Sequence, residues 1–211
     1  MSEKPYQRCP DELREPIWNA GRFTAHQFFR VAAWKSASGL GLLTLNSEAE
    51  IVERTENAVS AIRPWRRIDL LNDDIDWEAW HLAVATAVGR KAKGGRPATG
   101  LLAIYGVEYP RATAFISFLA PAAFPVIDQW TVKAVYGKEV YGKKSKWMCA
   151  AAYKHFAKEL VSNAAHFPGY STVHEIDQEV MNRGKRCEQR YGHTSRPCSC
   201  YSTNWPVPLE G

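Results

Sequence analysis

Apolar positions along this chain recur at the three-and-four spacing of a helix, and the alternation that marks half-buried strands is scarce. From Ser47 onward, Ile51, Val52, Ala58, Val59 and Ile62 fall on one helical face. Asp76 to Gly89 repeats the pattern with Trp77, Trp80, Val84 and Val88, and a later segment does so with Met148, Tyr153, Phe156 and Leu160. Thr24 with Gln27, Ser47 with Glu50 and Thr172 with Glu175 have the spacing of a capping box. In that motif a hydroxyl and an amide or carboxylate each accept the other residue's backbone N–H at a helix start. Ser145 is a further candidate cap, and Pro168-Gly169 predicts the end of the helix that follows it. The tail from Gly184, rich in Arg, Cys, Ser and Pro, reads as irregular. The expected fold class is all-α.

Between Leu101 and Val135 the pattern becomes more specific. It predicts a helix–hairpin–helix over 98–119, with a tight turn at Gly106 and a second helix begun by Pro110. A loop bounded by Pro121 and Pro125 then delivers Asp128 to the start of a third helix. A helix–hairpin–helix can offer backbone N–H groups to a phosphate through its turn and its second helix start. An acidic residue just downstream suggests chemistry on the bound nucleotide.

Gly106, Val107, Ala112 and Asp128 fall on the hairpin-to-aspartate pattern of the helix–hairpin–helix DNA glycosylases, and the chain resembles that superfamily. It is most similar to an uncharacterised glycosylase-like branch through Trp34-Lys35-Ser36, Asn46, Thr55, Pro110 and Phe124-Pro125-Val126-Ile127-Asp128. The resemblance implies two helical lobes with a cleft between them for an extruded base. Residues 34–136 would form the central lobe, and 1–33 with 137–211 the second, in one glycosylase-like unit of 211 residues. It implies a monofunctional DNA N-glycosylase that excises a damaged or modified base, in repair or in defence against modified foreign DNA. The bifunctional members carry an attacking lysine where this chain has Pro110, so no lyase step is expected. Glu108 stands where the motif's second glycine belongs, which keeps open a non-catalytic DNA-binding protein.

Asp128 is the expected catalytic residue. A carboxylate held beneath the deoxyribose stabilises the positive charge that builds there as the base departs. It is equally a preferred N-cap. The expected DNA contacts are Gly106, Val107, Tyr109 and Arg111 of the hairpin, the basic loop Arg90, Lys91, Lys93 and Arg96, and Lys35. Lys35 also stands where it can neutralise the end of an apolar helix, and it is the available substitute amine for a Schiff base. Trp34, Trp65 and Trp130 are candidates to wedge the base stack or to stack on the flipped base, or else to pack in the core.

Composition narrows the partners. The net charge of +5 and pI near 8.9 favour a polyanion, here double-stranded DNA. Further basic clusters lie at Arg63-Pro64-Trp65-Arg66-Arg67, at Lys138 to Lys146, and at Arg183 to Arg190. The Arg90 loop resembles a P-loop only loosely, because Gly95-Arg96-Pro97 replaces its Gly-Lys-Ser/Thr. With no secretory h-region and no unbroken apolar span, a cytoplasmic, membrane-free monomer is expected. Cys9, Cys149, Cys187, Cys198 and Cys200 are odd in number and irregularly spaced, which reads as free thiols, with no metal and no cofactor. Cys187, His193, Cys198 and Cys200 are the residues a tail metal site would use.

Overall fold

The computed structural model describes residues 9–36, 38–136, 142–143 and 147–191, with side chains as far as 185. Among these residues there are nine α-helices and no strand: α1 Arg14–Ala20, α2 Ala25–Lys35, α3 Leu40–Leu43, α4 Glu48–Ile62, α5 Trp77–Val88, α6 Tyr109–Leu119, α7 Gln129–Tyr136, α8 Ala150–Ser162 and α9 Val173–Tyr191. The described chain is therefore all-α. All three expected capping boxes form, at α2, α4 and α9. Asp76 caps α5 by accepting the N–H groups of Glu78 and Ala79. Each such cap contributes about 1 kcal/mol by satisfying donors that the first turn would leave open.

Helix α6 is the centre of the molecule. From Ala112 to Leu119 every side chain is buried, and α1, α2, α4 and α5 pack around it. Helix α9 packs on α7 and α8. Buried apolar side chains of the described residues form one cluster running from Ile17 to Val180. Helix α4 meets the expectation at Ile51, Ala58, Val59 and Ile62 and adds Thr55, whose hydroxyl accepts the Phe23 N–H at 3.1 Å.

The proline-bounded loop after α6 lacks regular secondary structure, so its backbone groups need partners from elsewhere. They find them in large side chains. Trp18 Nε1 donates to the Leu119 carbonyl at 3.2 Å and Trp80 Nε1 to that of Ala123 at 2.9 Å. The Tyr153 hydroxyl donates to the Pro125 carbonyl, and the Asp177 carboxylate accepts the Val126 N–H. Each of these side chains is buried, so the loop ahead of Asp128 is a fixed mount.

Four local expectations are corrected. The helix before Gly106 is a single 3-10 turn, Gly100–Ala103. The Arg90 segment, read as a loop, is a narrow antiparallel hairpin in which Arg90 exchanges hydrogen bonds with Thr99 and Lys93 with Arg96. Gly94 and Gly95 form its tip at φ +57° and +76°, the paired left-handed backbone that tight hairpins require. Helix α8 begins at Ala150 behind Cys149, so Met148, expected inside the helix, precedes it, while Ser145 lies outside the described residues. The chain from Gly184, read as irregular, continues α9 as far as Tyr191, and the rest of that tail lies outside the described residues. Gly184 serves close packing rather than termination: a Cβ there would come within 2.9 Å of the Trp130 carbonyl on α7.

Candidate active site

Helix α2 ends at Lys35 because Ser36 turns extended. A lysine in the last turn would ordinarily complement the helix's own carbonyl end. Here its Nζ donates to Asp128 Oδ2 at 2.9 Å. Asp128 stands at the start of α7, where its Oδ1 accepts the N–H groups of Trp130 at 2.8 Å and Thr131 at 3.1 Å. Thr131 Oγ1 in turn accepts the Asp128 N–H at 2.8 Å. Capping and ion pairing thus use different oxygens of the same carboxylate.

The two side chains are 18% and 10% exposed. Burial pushes the Asp128 carboxyl up, but the Lys35 ammonium and the two helix N–H groups outweigh it and hold the group below its ordinary range. The pair lines a cavity of about 580 Å³ together with Pro110, Trp130, Trp147 and Met181. It also lines a second opening of about 490 Å³, with Trp34, His174 and Asp177. Cavities of that size hold small organic groups such as a nucleobase. Behind the pair, His174 Nδ1 lies 3.0 Å from Ser117 Oγ and 3.2 Å from Asp177 Oδ2. Burial raises the Asp177 carboxyl against the opposing pull of His174, the Val126 N–H and Lys35.

Among the expected residues, Asp128, Lys35 and Trp130 come together. Lys133 sits 4.8 Å over the Trp130 ring. Trp34 packs against Phe118 and His174 and reaches the second opening. Trp65 does not join them: it is buried against Phe124 in the core, because its 3-10 turn directly follows α4. The amine missing at Pro110 is present in the same cavity on Lys35.

The hairpin residues divide differently from expectation. Val107, ahead of α6, and Tyr109, in its first turn, are both buried, so neither side chain reaches the open surface of the hairpin. Arg111 donates to the Gly106 carbonyl at 2.7 Å and to the Ser38 carbonyl, tying α6 to the loop after α2. Lys91 donates to the Val107 carbonyl at 2.6 Å and pairs with Glu108 at 3.6 Å. Arg90, Lys93 and Arg96 reach the surface. Gly106 lies at φ +82°, and a Cβ there would approach Leu42 Cβ to 2.8 Å, so α3 rests directly on the turn.

The turn and α3 together present a feature that the sequence pattern did not reveal. Leu42, Leu45 and Tyr105 are 47%, 69% and 58% exposed around the turn. Asn46 holds the tip by accepting the Tyr105 N–H at 2.8 Å and donating to the Tyr105 and Leu43 carbonyls at 2.9 Å. An aromatic directly before a turn glycine was the available signal. No three His, Cys, Asp or Glu side chains among the described residues converge as a metal site, and Cys187, His193, Cys198 and Cys200 fall outside the described side chains. No helix of the described residues is long and apolar enough to cross a membrane. Comparison with family models, curated proteins and solved structures gives no match to the chain.

Proposed function

We propose that this protein is a monofunctional DNA glycosylase that binds double-stranded DNA and hydrolyses the N-glycosidic bond of a flipped, damaged or modified base. The Asp128–Lys35 pair on the wall of a base-sized cavity carries this reading. In the proposed reaction the C1′–N bond breaks, its electrons leave with the base, water adds to the sugar cation, and the proton that water loses is taken up by the departed base. A carboxylate held below its ordinary pKa is a weak general base but remains fully charged at neutral pH. Its role is therefore electrostatic: Asp128 stabilises the cation, and Lys35 lies where a departing base needs a hydrogen-bond donor. The basic hairpin at Arg90, tied by Lys91 to the Val107 carbonyl, supplies phosphate contacts, and the Asp128 cavity receives the base.

Asp128→Asn tests the reading. Loss of the charge removes on the order of 3–4 kcal/mol of transition-state stabilisation, so excision falls by two to three decades while duplex affinity holds. Abasic-site formation across duplexes carrying different modified bases is the measurement. Excision that survives in the variant leaves Asp128 as a cap. A wild type that binds DNA but excises nothing favours the second reading, a non-catalytic DNA-binding protein, which the Glu108 carboxylate beside the hairpin supports.

A further inference from the structure

We propose that the cavity between the Arg90 hairpin and the start of α8 is a phosphate site, separate from the Asp128 cavity. It encloses about 760 Å³, with Arg90, Lys93 and Arg96 on one side and Cys149 and Ala150 on the other. Helix α8 has 13 residues, its N-cap Cys149 makes no side-chain cap, and its first turn holds no acidic residue. Its opening N–H groups therefore lack the internal acceptor that Ser, Thr or Asp gives other helices.

A second observation points to a ligand. Tyr109 lines the same cavity and is 2% exposed, and its hydroxyl has no hydrogen-bond partner among the described residues. An unsatisfied buried hydroxyl costs about 1–3 kcal/mol, which an incoming acceptor would relieve. Burial, reinforced by the neighbouring Cys149, keeps this phenol protonated and so a donor. Cations, helix N–H groups and a phenolic donor together match a phosphate, and the Glu108 carboxylate that also lines the cavity is paired with Lys91 at 3.6 Å.

The start of α6 is unsuited to the same task. Glu108 occupies its N-cap, and Pro110 in its first turn has no N–H to give. The start of α7 is already capped by Asp128, so the phosphate grip falls to the start of α8. Glu108 and Met148 line both cavities, so a strand with its nucleotide beside Asp128 brings a flanking phosphodiester here. That source rests on the glycosylase reading; a free phosphomonoester offers the same oxygens.

The test titrates inorganic phosphate into isotope-labelled full-length protein and follows the backbone amides of Ala150, Ala151 and Ala152. It then measures fluorescent duplex binding against salt. Saturable amide shifts are expected in the wild type and lost in Ala150→Asp, whose carboxylate suits a helix start but repels phosphate. The same variant should lower the salt slope of duplex binding by about one, the value of one phosphate. Tyr109→Phe should weaken phosphate several-fold without lowering the melting temperature, and it carries the test if Ala150→Asp does not fold. Phosphate binding without duplex binding upholds the site and refutes the DNA reading. Duplex binding with an unchanged slope, and no amide shifts, overturns the site and leaves the DNA reading intact.

Discussion

Lys35 and Asp128 lie 93 positions apart in the chain, yet the ammonium of one donates to the carboxylate of the other at 2.9 Å. Both side chains are mostly withdrawn from water. Removing one partner of such a pair strands the other charge, which costs more than the pair contributes as a whole. Lys35→Met should therefore destabilise by about 3 kcal/mol, because Asp128 is the deeper of the two. Asp128→Asn should lose less, because Asn caps a helix about as well as Asp. The Lys35/Asp128 double variant should recover about 1–3 kcal/mol of the summed single losses, read from denaturant midpoints. Strictly additive losses would show that the two charges are independent.

The same ion pair sets a pH dependence. Asp128 is held below its ordinary range, so its stabilising contribution is complete above the unfolded-state value, near 4, and is lost as pH falls through the lower folded value. Excision should stay flat from neutral pH to below that point. In Lys35→Met the strongest lowering influence disappears, burial prevails, and the acid limb moves above the ordinary carboxylate value. pH–rate profiles of the two proteins check this. Superimposable profiles would remove Lys35 as the group that holds Asp128 charged.

Borohydride present during turnover should trap no protein–DNA adduct, and strand scission should require added alkali. Schiff-base formation needs a free amine at the sugar. Pro110 offers none, and the Lys35 ammonium is committed to Asp128. An adduct that forms in the wild type and vanishes in Lys35→Met would replace hydrolysis with a lyase mechanism.

How much of this was legible in the sequence follows from the range of each interaction. Capping boxes at Thr24, Ser47 and Thr172 are local, and all three form. Asp128 at a helix start is equally readable. Its partner is not, because Lys35 reaches it through tertiary packing of α2 beside α6, to which no local pattern refers. Gly184 misleads for the same reason: glycine ends helices, but here it makes room for α7. Side-chain direction is equally hidden. Arg111 and Trp65 have the right chemistry for DNA, and the fold turns them to other uses.

For the basic hairpin, side-chain direction also changes the expected magnitude. The salt dependence of binding flattens by about one unit for every phosphate that no longer meets a cation. Replacing Arg90, Lys91, Lys93 and Arg96 together should remove about three units rather than four. All four are exposed, but Lys91 is already engaged with the Val107 carbonyl and Glu108. Lys91→Ala alone should leave the slope nearly unchanged. An unaltered slope in the fourfold variant would mean that this face does not meet DNA.

The exposed apolar tip gives the last expectation. Flipping a base leaves a gap in the stack, and apolar side chains inserted into base steps stabilise the opened duplex. Trp65 cannot reach DNA from the core, whereas Tyr105, Leu42 and Leu45 stand in solvent beside the turn. Tyr105→Ala removes a side chain that is 58% exposed, so stability should change by less than about 0.5 kcal/mol. Excision should nevertheless fall, most for bases in stable pairs and least for bases opposite a mismatch, where opening is already easy. Asn46→Ala keeps the aromatic but removes the three hydrogen bonds that fix the tip, so it should lose both stability, by about 1–3 kcal/mol, and excision. Melting curves and single-turnover excision on matched and mismatched duplexes separate the two variants. Equal losses for Tyr105→Ala on both duplexes would show that the tip does not act on base opening.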